Sequence, residues 1–166
     1  MAEGRLIISN TTPIINLAEI GRLDILHGLF GSVTTPPAVV EELLAKQSIF
    51  PNAAKAAEHF QVIAPANCLL VRTFQSLAHA GEAECLALAM ENPDSLLLLD
   101  DLQARALATT NNLPFTGTLG CLVEAKRRGL VEAIAPLIEK LRVSARFWIS
   151  TELQMRVLRD ADELPL

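Results

Sequence analysis

The sequence predicts an α/β protein in which helices cover both faces of a mostly parallel sheet. Short apolar runs alternate along the chain with longer segments whose apolar residues recur at helical spacing. Strands that alternate with helices pair in parallel, because each crossover helix carries the chain back across one face of the sheet. With 166 residues, of which 51% are apolar, the chain can bury a substantial core.

The whole chain, residues 1–166, is expected to form one domain, with residues 143–166 as a helical appendage at its C-terminal end. No internal repeat or linker-like stretch divides the sequence, and no apolar run approaches the ~18 residues that span a bilayer. Three widely spaced cysteines without a C-x-x-C pair are typical of a reducing compartment. We therefore expect a cytoplasmic protein that does not bind a membrane.

The first half of the chain begins with a short buried strand over residues 6–9. A helix follows, for which Thr12 is the candidate N-cap and Pro13 the first helical residue, where a missing N–H costs nothing. Gly21 is expected to end this helix. The other elements of this half are a short helix over 23–30, a strand over 32–34, a helix started by Pro36 and Pro37, and an alanine-rich helix over 52–60.

The second half contains the clearest buried strand, formed by the leucines at 96–99. Before it, residues 68–71 have the character of a strand, and Gly81 begins a helix whose apolar residues share one face. After it, a helix is expected over 101–109. The other elements of this half are an extended segment over 114–116, a helix over 121–128, and two amphipathic helices over 131–141 and 150–158.

Polar side chains recur where the predicted strands end or the helices begin. They are Asn10, Glu42, Glu82 with Glu84, and the pair Asp100 and Asp101. Carboxyl ends of parallel strands meet at one crevice, which is where open α/β sheets bind their ligands. Carboxylates crowded there repel one another unless a cation lies between them, and oxygen-only clusters suit Mg²⁺ or Mn²⁺. The pattern indicates a metal-dependent reaction on a phosphate-bearing substrate.

Three of these acids also have a purely structural interpretation. Asp100 is a candidate helix N-cap, and Asp101 would then complement the helix dipole. Glu82 lies in a first helical turn, where a carboxylate is favoured by the dipole in any case. Glu82 and Glu84 point ~200° apart on a helix, so only one of them can face the crevice. Glu42 lies in a second turn, where no benefit from the dipole explains it.

The cations of the chain are concentrated in its last third, although the net charge is −5. Lys126, Arg127 and Arg128 lie where cations stabilise a helix C-terminus, and contact with substrate phosphates is the alternative. Arg105, one turn beyond Asp101, is placed to neutralise either a carboxylate or a phosphate. Thr118 is a candidate helix N-cap at the mouth of the site, and the surrounding Gly-Thr-Leu-Gly lacks the lysine of a P-loop.

In this order the motifs resemble the PIN-domain family, and within it the small prokaryotic proteins related to VapC-type toxins. The resemblance covers nearly the whole chain. It rests on segments 8–17, 36–43, 81–89, 98–105, 117–120, 126–130 and 147–150, which include Ser-Asn-Thr-Thr-Pro, Gly-Glu-Ala-Glu-Cys, Leu-Asp-Asp-Leu and Phe-Trp-Ile-Ser.

The resemblance implies a three-layer α/β/α fold and hydrolysis of single-stranded RNA with Mg²⁺ or Mn²⁺. By position, the family's acids fall on Asn10, Glu42, Glu82 or Glu84, and Asp101 or Asp100. The small hydroxyl residue that follows the first acid falls on Thr11 or Thr12. Such proteins are often toxins that pair with an antitoxin, and they commonly form homodimers.

Asn10 departs from the family pattern, which has an aspartate at this position. An amide still offers one carbonyl oxygen, but it removes a negative charge and is expected to weaken metal binding and water activation. Two functions follow from the sequence. The first is a metal-dependent ribonuclease, the toxin of a toxin–antitoxin pair. The second is a catalytically weak or inactive PIN-fold module that binds RNA or a partner protein.

Overall fold

The computed structural model of the protein describes residues 4–164. Its centre is a parallel sheet of five short strands in the order β3-β2-β1-β4-β5. The strands are β1 (Ile7–Ser9), β2 (Thr34–Thr35), β3 (Gln61–Val62), β4 (Leu96–Leu98) and β5 (Phe115–Thr116). The predicted α/β fold with a mostly parallel sheet is confirmed, and in the described residues every pairing within the sheet is parallel.

Helices connect the strands and follow the last one. In chain order they are α1 (Thr11–Glu19), α2 (Asp24–Phe30), α3 (Pro37–Ala45), α4 (Pro51–Ala56), α5 (Cys68–Gln75), α6 (Ala80–Glu91), α7 (Leu102–Thr110), α8 (Thr118–Arg127), α9 (Ala135–Ser144) and α10 (Thr151–Asp160). A short 3-10 helix (Ala57–His59) continues α4. None of the helices described over residues 4–164 is long and apolar enough to cross a membrane.

The two faces of the sheet carry separate apolar cores, as a three-layer α/β/α fold requires. Ile7 and Leu98 point into a core with helices α2, α8, α9 and α10. Ile8, Leu97 and Leu99 point into the opposite core with helices α3, α6 and α7. This alternation follows from the two-residue period of a strand and explains why the strands are apolar on both faces.

The order in which the chain adds strands to the sheet reverses between β1 and β4. The chain moves outward from β1 through β2 to β3, then returns to add β4 and β5 on the other side of β1. Such a switch point opens a crevice at the carboxyl ends of the two central strands. Ile8 pairs with Leu97 and Ser9 with Leu98, so the residues that follow these strands, Asn10 and Asp100, emerge near the same edge.

The prediction of a strand at residues 68–71 was wrong, because these residues begin helix α5. Asn67 caps this helix by accepting the N–H groups of Leu69 and Leu70, both at 3.1 Å. The strand of this region is β3, whose two residues are exposed at the sheet edge. The N-cap predicted at Thr12 was also wrong, since α1 begins at Thr11 and its N-cap position is Asn10.

The C-terminal helices pack into the core that contains Ile7 of β1 and Leu98 of β4. Val157, Leu158 and Ala161 of the α10 region are buried there with Leu141 of α9. Glu163 fastens the end of this segment: it accepts the N–H of Ala135 at 2.9 Å and pairs with Lys126 at 2.9 Å. The predicted appendage, residues 143–166, thus contributes several side chains to this core, and residues 165–166 of it lie outside the described residues.

Candidate active site

Asn10 directly follows β1, the central strand, and therefore lies at the middle of the row formed by the carboxyl ends of the strands. Its backbone N–H donates to the carbonyl of Leu98 at 3.1 Å, which ties it to the end of β4. The side chain is buried, with 3% of its residue surface exposed, and its Oδ1 atom has no hydrogen-bond partner within residues 4–164. A buried carbonyl oxygen without a donor is costly, and such sites call for a water or an ion.

Glu42, on the second turn of α3, is held by hydrogen bonds to both carboxylate oxygens. The Thr11 hydroxyl donates a short hydrogen bond to Oε2, and the Gly81 N–H donates to Oε1 at 3.0 Å. Gly81 lets the carboxylate approach the start of α6, since an added Cβ there would lie 2.8 Å from Oε1. Helices α1 and α6 therefore fix the position of one carboxylate of α3. Of the two hydroxyl residues predicted for the site, Thr11 and Thr12, it is Thr11 that contacts Glu42.

Glu82 and Glu84 point to different partners, as their spacing requires. Glu82 accepts the N–H of His79 at 3.0 Å, and Glu84 accepts the N–H of Ala38 at the start of α3 at 2.8 Å. Burial raises the pKa of Glu82, and the negative charges of Asp101 and Glu42 raise it further, although the His79 N–H lowers it. Glu82 is thus grouped with Glu42 and Asp101, while Glu84 stabilises a helix start.

The buried thiol of Cys85 is also affected by the negative charges of the nearby glutamates. Burial raises its pKa well above the ordinary value, and the charges of Glu42, Glu84 and Glu82 add to the effect. Its Sγ donates to the carbonyl of Ser9 at 3.6 Å, in the strand that precedes Asn10. Negative charge is therefore concentrated around the end of β1.

Asp100 and Asp101 have different roles: Asp101 caps a helix, and Asp100 accepts hydrogen bonds from other elements. Asp101 is exposed and is the N-cap of α7, where it accepts the Ala104 N–H at 2.9 Å. Asp100 is partly buried and accepts hydrogen bonds from the Thr118 N–H at 2.8 Å and the Asn16 amide at 3.0 Å. The alternative in which Asp100 caps the helix is wrong, because the cap is Asp101.

Thr118 and Arg105 lie beside Asp100. The Thr118 hydroxyl donates to Asp100 Oδ2 at 2.5 Å, and the Arg105 Nη2 atom is 3.8 Å from Oδ1. Arg105 also donates from Nε to the carbonyl of Leu99 at 2.8 Å. The N-cap position of α8 is Gly117, so the prediction that Thr118 caps this helix was wrong and its hydroxyl serves Asp100 instead.

The basic residues at the far end of α8 are not brought to these acids. Helix α8 has ten residues, so its last turn lies about 13 Å from Thr118 at the helical rise per residue. Arg127 and Arg128 both pair with Glu124 at 2.6 Å, and Lys126 pairs with Glu163. Thr12 faces partly outward on α1.

The donors at this edge fit a hard divalent cation by their chemistry. They are all oxygens, one of them is the unpartnered Asn10 Oδ1, and the mutual repulsion at Glu82 is the condition that a cation relieves. Within residues 4–164, no group of three or more histidine, cysteine, aspartate or glutamate side chains is arranged to hold a metal ion. The carboxylates at this edge are instead held by hydrogen bonds from neighbouring backbone and side-chain donors.

Two residues of the site were missed by reasoning from the sequence. Asn16 is a buried polar residue, 2% exposed, inside the apolar face of α1, and it donates to both Asp100 and Thr118. The signal that could have found it is an amide among Ile14, Ile15 and Leu17. Gly81 was interpreted only as a helix start, and its role as a donor to Glu42 depends on a contact across 39 residues.

Comparison with known proteins identifies the family to which the fold belongs. No curated protein matches the sequence. A family model described as a PIN domain matches residues 6–163, which covers all five strands and all ten described helices. PIN domains are generally nucleases and generally use divalent metal ions. With its parallel sheet, its switch point between β1 and β4 and this match over nearly its whole length, the chain belongs to the PIN-domain family.

Proposed function

We propose that the protein is a metal-dependent ribonuclease that hydrolyses phosphodiester bonds of single-stranded RNA. The observation that supports this most strongly is that Glu42 and Asp101 lie close enough to Glu82, at the switch point of a PIN fold, for their charges to act on it. Burial raises the pKa of Glu82, and the charges of Asp101 and Glu42 raise it further. The buried Asn10 Oδ1, which has no hydrogen-bond partner within residues 4–164, lies at the same end of the sheet. Crowded carboxylates at the carboxyl end of a parallel sheet favour a bound cation.

Asn10, Glu42, Glu82 and Asp101 are the residues that would hold Mg²⁺ or Mn²⁺, with Asp100 beside them. A divalent ion held by these residues would act as a Lewis acid on the phosphate and would lower the pKa of an attacking water. Both ions prefer oxygen donors, so the set does not select one of them.

The protein's own contribution is to fix the carboxylates. Thr11 and Gly81 donate to the two oxygens of Glu42, so this side chain cannot turn away from the edge. Asn16 and Thr118 hold Asp100 in the same way from the other side of the crevice. Preorganised charges cost little reorganisation during the reaction, which is how an electrostatic site accelerates hydrolysis.

Arg105 pairs with Asp100 and is the best candidate for a contact with a substrate phosphate. Its Nη2 atom lies 3.8 Å from Asp100, a loose ion pair that leaves the guanidinium able to bind a second anion. Lys126, Arg127 and Arg128 are occupied by Glu163 and Glu124, so their contribution to RNA binding would be long-range attraction rather than direct contact with the cleaved bond.

The test is cleavage of single-stranded RNA by the protein and two variants. We expect low activity with Mg²⁺, higher activity with Mn²⁺, and a gain of at least about tenfold in Asn10→Asp, since 1.4 kcal/mol of added stabilisation suffices. Asp101→Asn should abolish the activity. Asparagine also caps helices well, so this variant keeps α7 and serves as its own control for folding.

A second candidate function is a non-catalytic PIN module that binds RNA or a partner protein. Asn10 favours it, because an amide at the centre of the edge removes one negative charge from the ligand set. If Asn10→Asp gains no activity with either metal while RNA still binds, the binding module is the correct function.

We also propose that the protein is the toxin of a toxin–antitoxin pair and forms a homodimer. The resemblance to small prokaryotic PIN proteins supports the first. Exposed apolar side chains in the first half of the chain support the second, including Ile49 and Leu69 at 50% and 74% exposure. A small reading frame beside the gene and growth arrest on expression are expected for a toxin. A monomer in sedimentation at micromolar concentration would refute the dimer.

A further inference from the structure

A groove borders the candidate active site on the side of β5. We call the part of that site formed by Glu42, Glu82, Asp100 and Asp101, at the carboxyl ends of the strands, the acidic edge. Its volume is about 490 Å³, within the range of sites that hold small organic groups. Asp100 and Arg105 are among its lining residues, and so are Phe147 and Trp148, which belong to the loop between α9 and α10. The groove is therefore continuous with the candidate active site and is formed by three separate parts of the chain.

Trp148 is the feature of this groove that packing does not explain. It is the only tryptophan of the sequence, and 83% of it is exposed, whereas tryptophan is normally among the more buried residues. Its neighbour Ile149 is buried, and the Phe147 N–H donates to the carbonyl of Leu141 at 3.1 Å. The backbone on both sides is thus anchored, and the indole is presented outward by a fixed loop.

The wall near the acids adds a second aromatic surface and a positive charge. The Arg105 guanidinium lies 5.5 Å from the centre of the Phe115 ring. Arg105 is also the residue that pairs with Asp100, so one side chain joins the acidic edge to the aromatic groove. Aromatic rings with an adjacent arginine are the surfaces on which unpaired bases stack in proteins that bind single strands.

We propose that this groove, formed by Phe115, Phe147, Trp148 and Arg105, binds a nucleobase of single-stranded RNA next to the phosphodiester at the acidic edge. This inference rests on the proposed ribonuclease function and names the part of the substrate that the groove contacts. A nucleobase has a flat apolar face for Trp148, and its strand carries phosphates toward Arg105 and the acids. A paired base is already stacked in a duplex, so the groove selects single strands.

Trp148 also provides the measurement, because the sequence contains no tyrosine and no other tryptophan. A six-nucleotide single-stranded oligouridylate and oligoadenylate are titrated against the intrinsic fluorescence, in EDTA to prevent hydrolysis and again with Mg²⁺. An oligodeoxyadenylate tests whether the sugar matters, and an RNA hairpin with a GC-rich stem, which stays paired where six A·U pairs would separate, tests strandedness. We expect quenching by the single strands and little by the hairpin.

Variants separate the groove from the rest of the surface. Trp148→Ala should weaken binding of a labelled oligoadenylate at least about fivefold, the lower limit for losing one stacked base, and Trp148→Phe should retain most of it. Val143→Ala is the matched control: this valine of α9 is 82% exposed and does not line the groove. It should bind as the unmodified protein does.

The outcomes distinguish this proposal from the function on which it rests. Quenching by single strands without any cleavage supports the groove and points to the non-catalytic module. Cleavage with unchanged KM and kcat in Trp148→Ala would overturn the groove and leave the nuclease intact. Absence of quenching by every oligonucleotide, with Trp148 emission that shifts as protein concentration rises, would show a protein contact instead and would also overturn it.

Discussion

The Gly81→Ala substitution tests whether the position of the Glu42 carboxylate controls activity. Gly81 is the second residue of α6, and its N–H donates to Glu42 Oε1 at 3.0 Å. A Cβ at this position would lie 2.8 Å from Oε1 and 3.0 Å from Oε2. Cβ atoms do not tolerate such contacts, so the carboxylate has to move away from the helix start and the hydrogen bond has to lengthen.

The effects on stability and on activity are expected to differ in size. Alanine in place of glycine stabilises a helix by about 0.5–1 kcal/mol. Loss of a hydrogen bond to a charged group costs about 1.5–3 kcal/mol. The free energy of unfolding should therefore fall by about 0.5–2.5 kcal/mol, which leaves the protein folded. Activity should fall about tenfold to a hundredfold, because a displacement approaching 1 Å at a reacting centre has that effect.

Urea denaturation and Mn²⁺-dependent cleavage of single-stranded RNA, measured on the same preparations, check both expectations. Gly28→Ala is the matched control: this glycine is also helical, and its added Cβ would contact only the flexible side chain of Leu130, at 3.0 Å. It should keep full activity. Full activity in Gly81→Ala would refute the inference that Glu42 must be held against the start of α6.

Two further predictions concern stability. Glu163→Gln should destabilise the protein by about 1–3 kcal/mol at pH 7, since Glu163 accepts N–H groups of Ile134 and Ala135 and pairs with Lys126. Burial raises the pKa of Glu163, but these donors outweigh it and lower the pKa overall. Its stabilisation is therefore complete above the unfolded value of ~4.3 and is lost as pH falls through the lower folded value. The difference in stability between the variant and the unmodified protein should therefore disappear as the pH falls below that folded value. Ser150→Ala should cost about 1 kcal/mol in urea denaturation, because the Ser150 hydroxyl caps α10 by accepting the Leu153 N–H, whereas Ser144→Ala should cost little.

Most of the fold was predictable because the strongest signals are local. The leucines of β4, the prolines at the start of α3 and the glycine after α8 each determine their own element through hydropathy or allowed backbone angles. Residues 68–71 were misassigned because a four-residue apolar run does not distinguish a strand from the start of a helix. The side chain of Asn67, which caps α5, favours the helix at this position. Strand β3 has two exposed residues, too few for any pattern.

The residues of the candidate site were proposed from the sequence, and their common metal site stays a prediction. The sequence indicated Asn10, Glu82 and the aspartate pair because they follow strands or begin helices, and Glu42 because it lies in a second helical turn. It could not show that Asp101 caps α7 while Asp100 binds Asn16 and Thr118, because those partners lie 84 and 18 residues away from Asp100. Hydrogen bonds across such separations depend on the fold and leave no local trace.

The most direct test of the central claim, that the acidic edge at the end of β1 and β4 is a divalent-cation site, is anomalous diffraction from crystals soaked in Mn²⁺. A manganese peak is predicted within ~2.1 Å of oxygens from Asn10 and at least one of Glu42, Glu82 and Asp101. The peak should strengthen in Asn10→Asp, which restores a charge at the buried position with the unpartnered oxygen. Manganese bound only elsewhere, or no peak at millimolar Mn²⁺ in either protein, would contradict the claim.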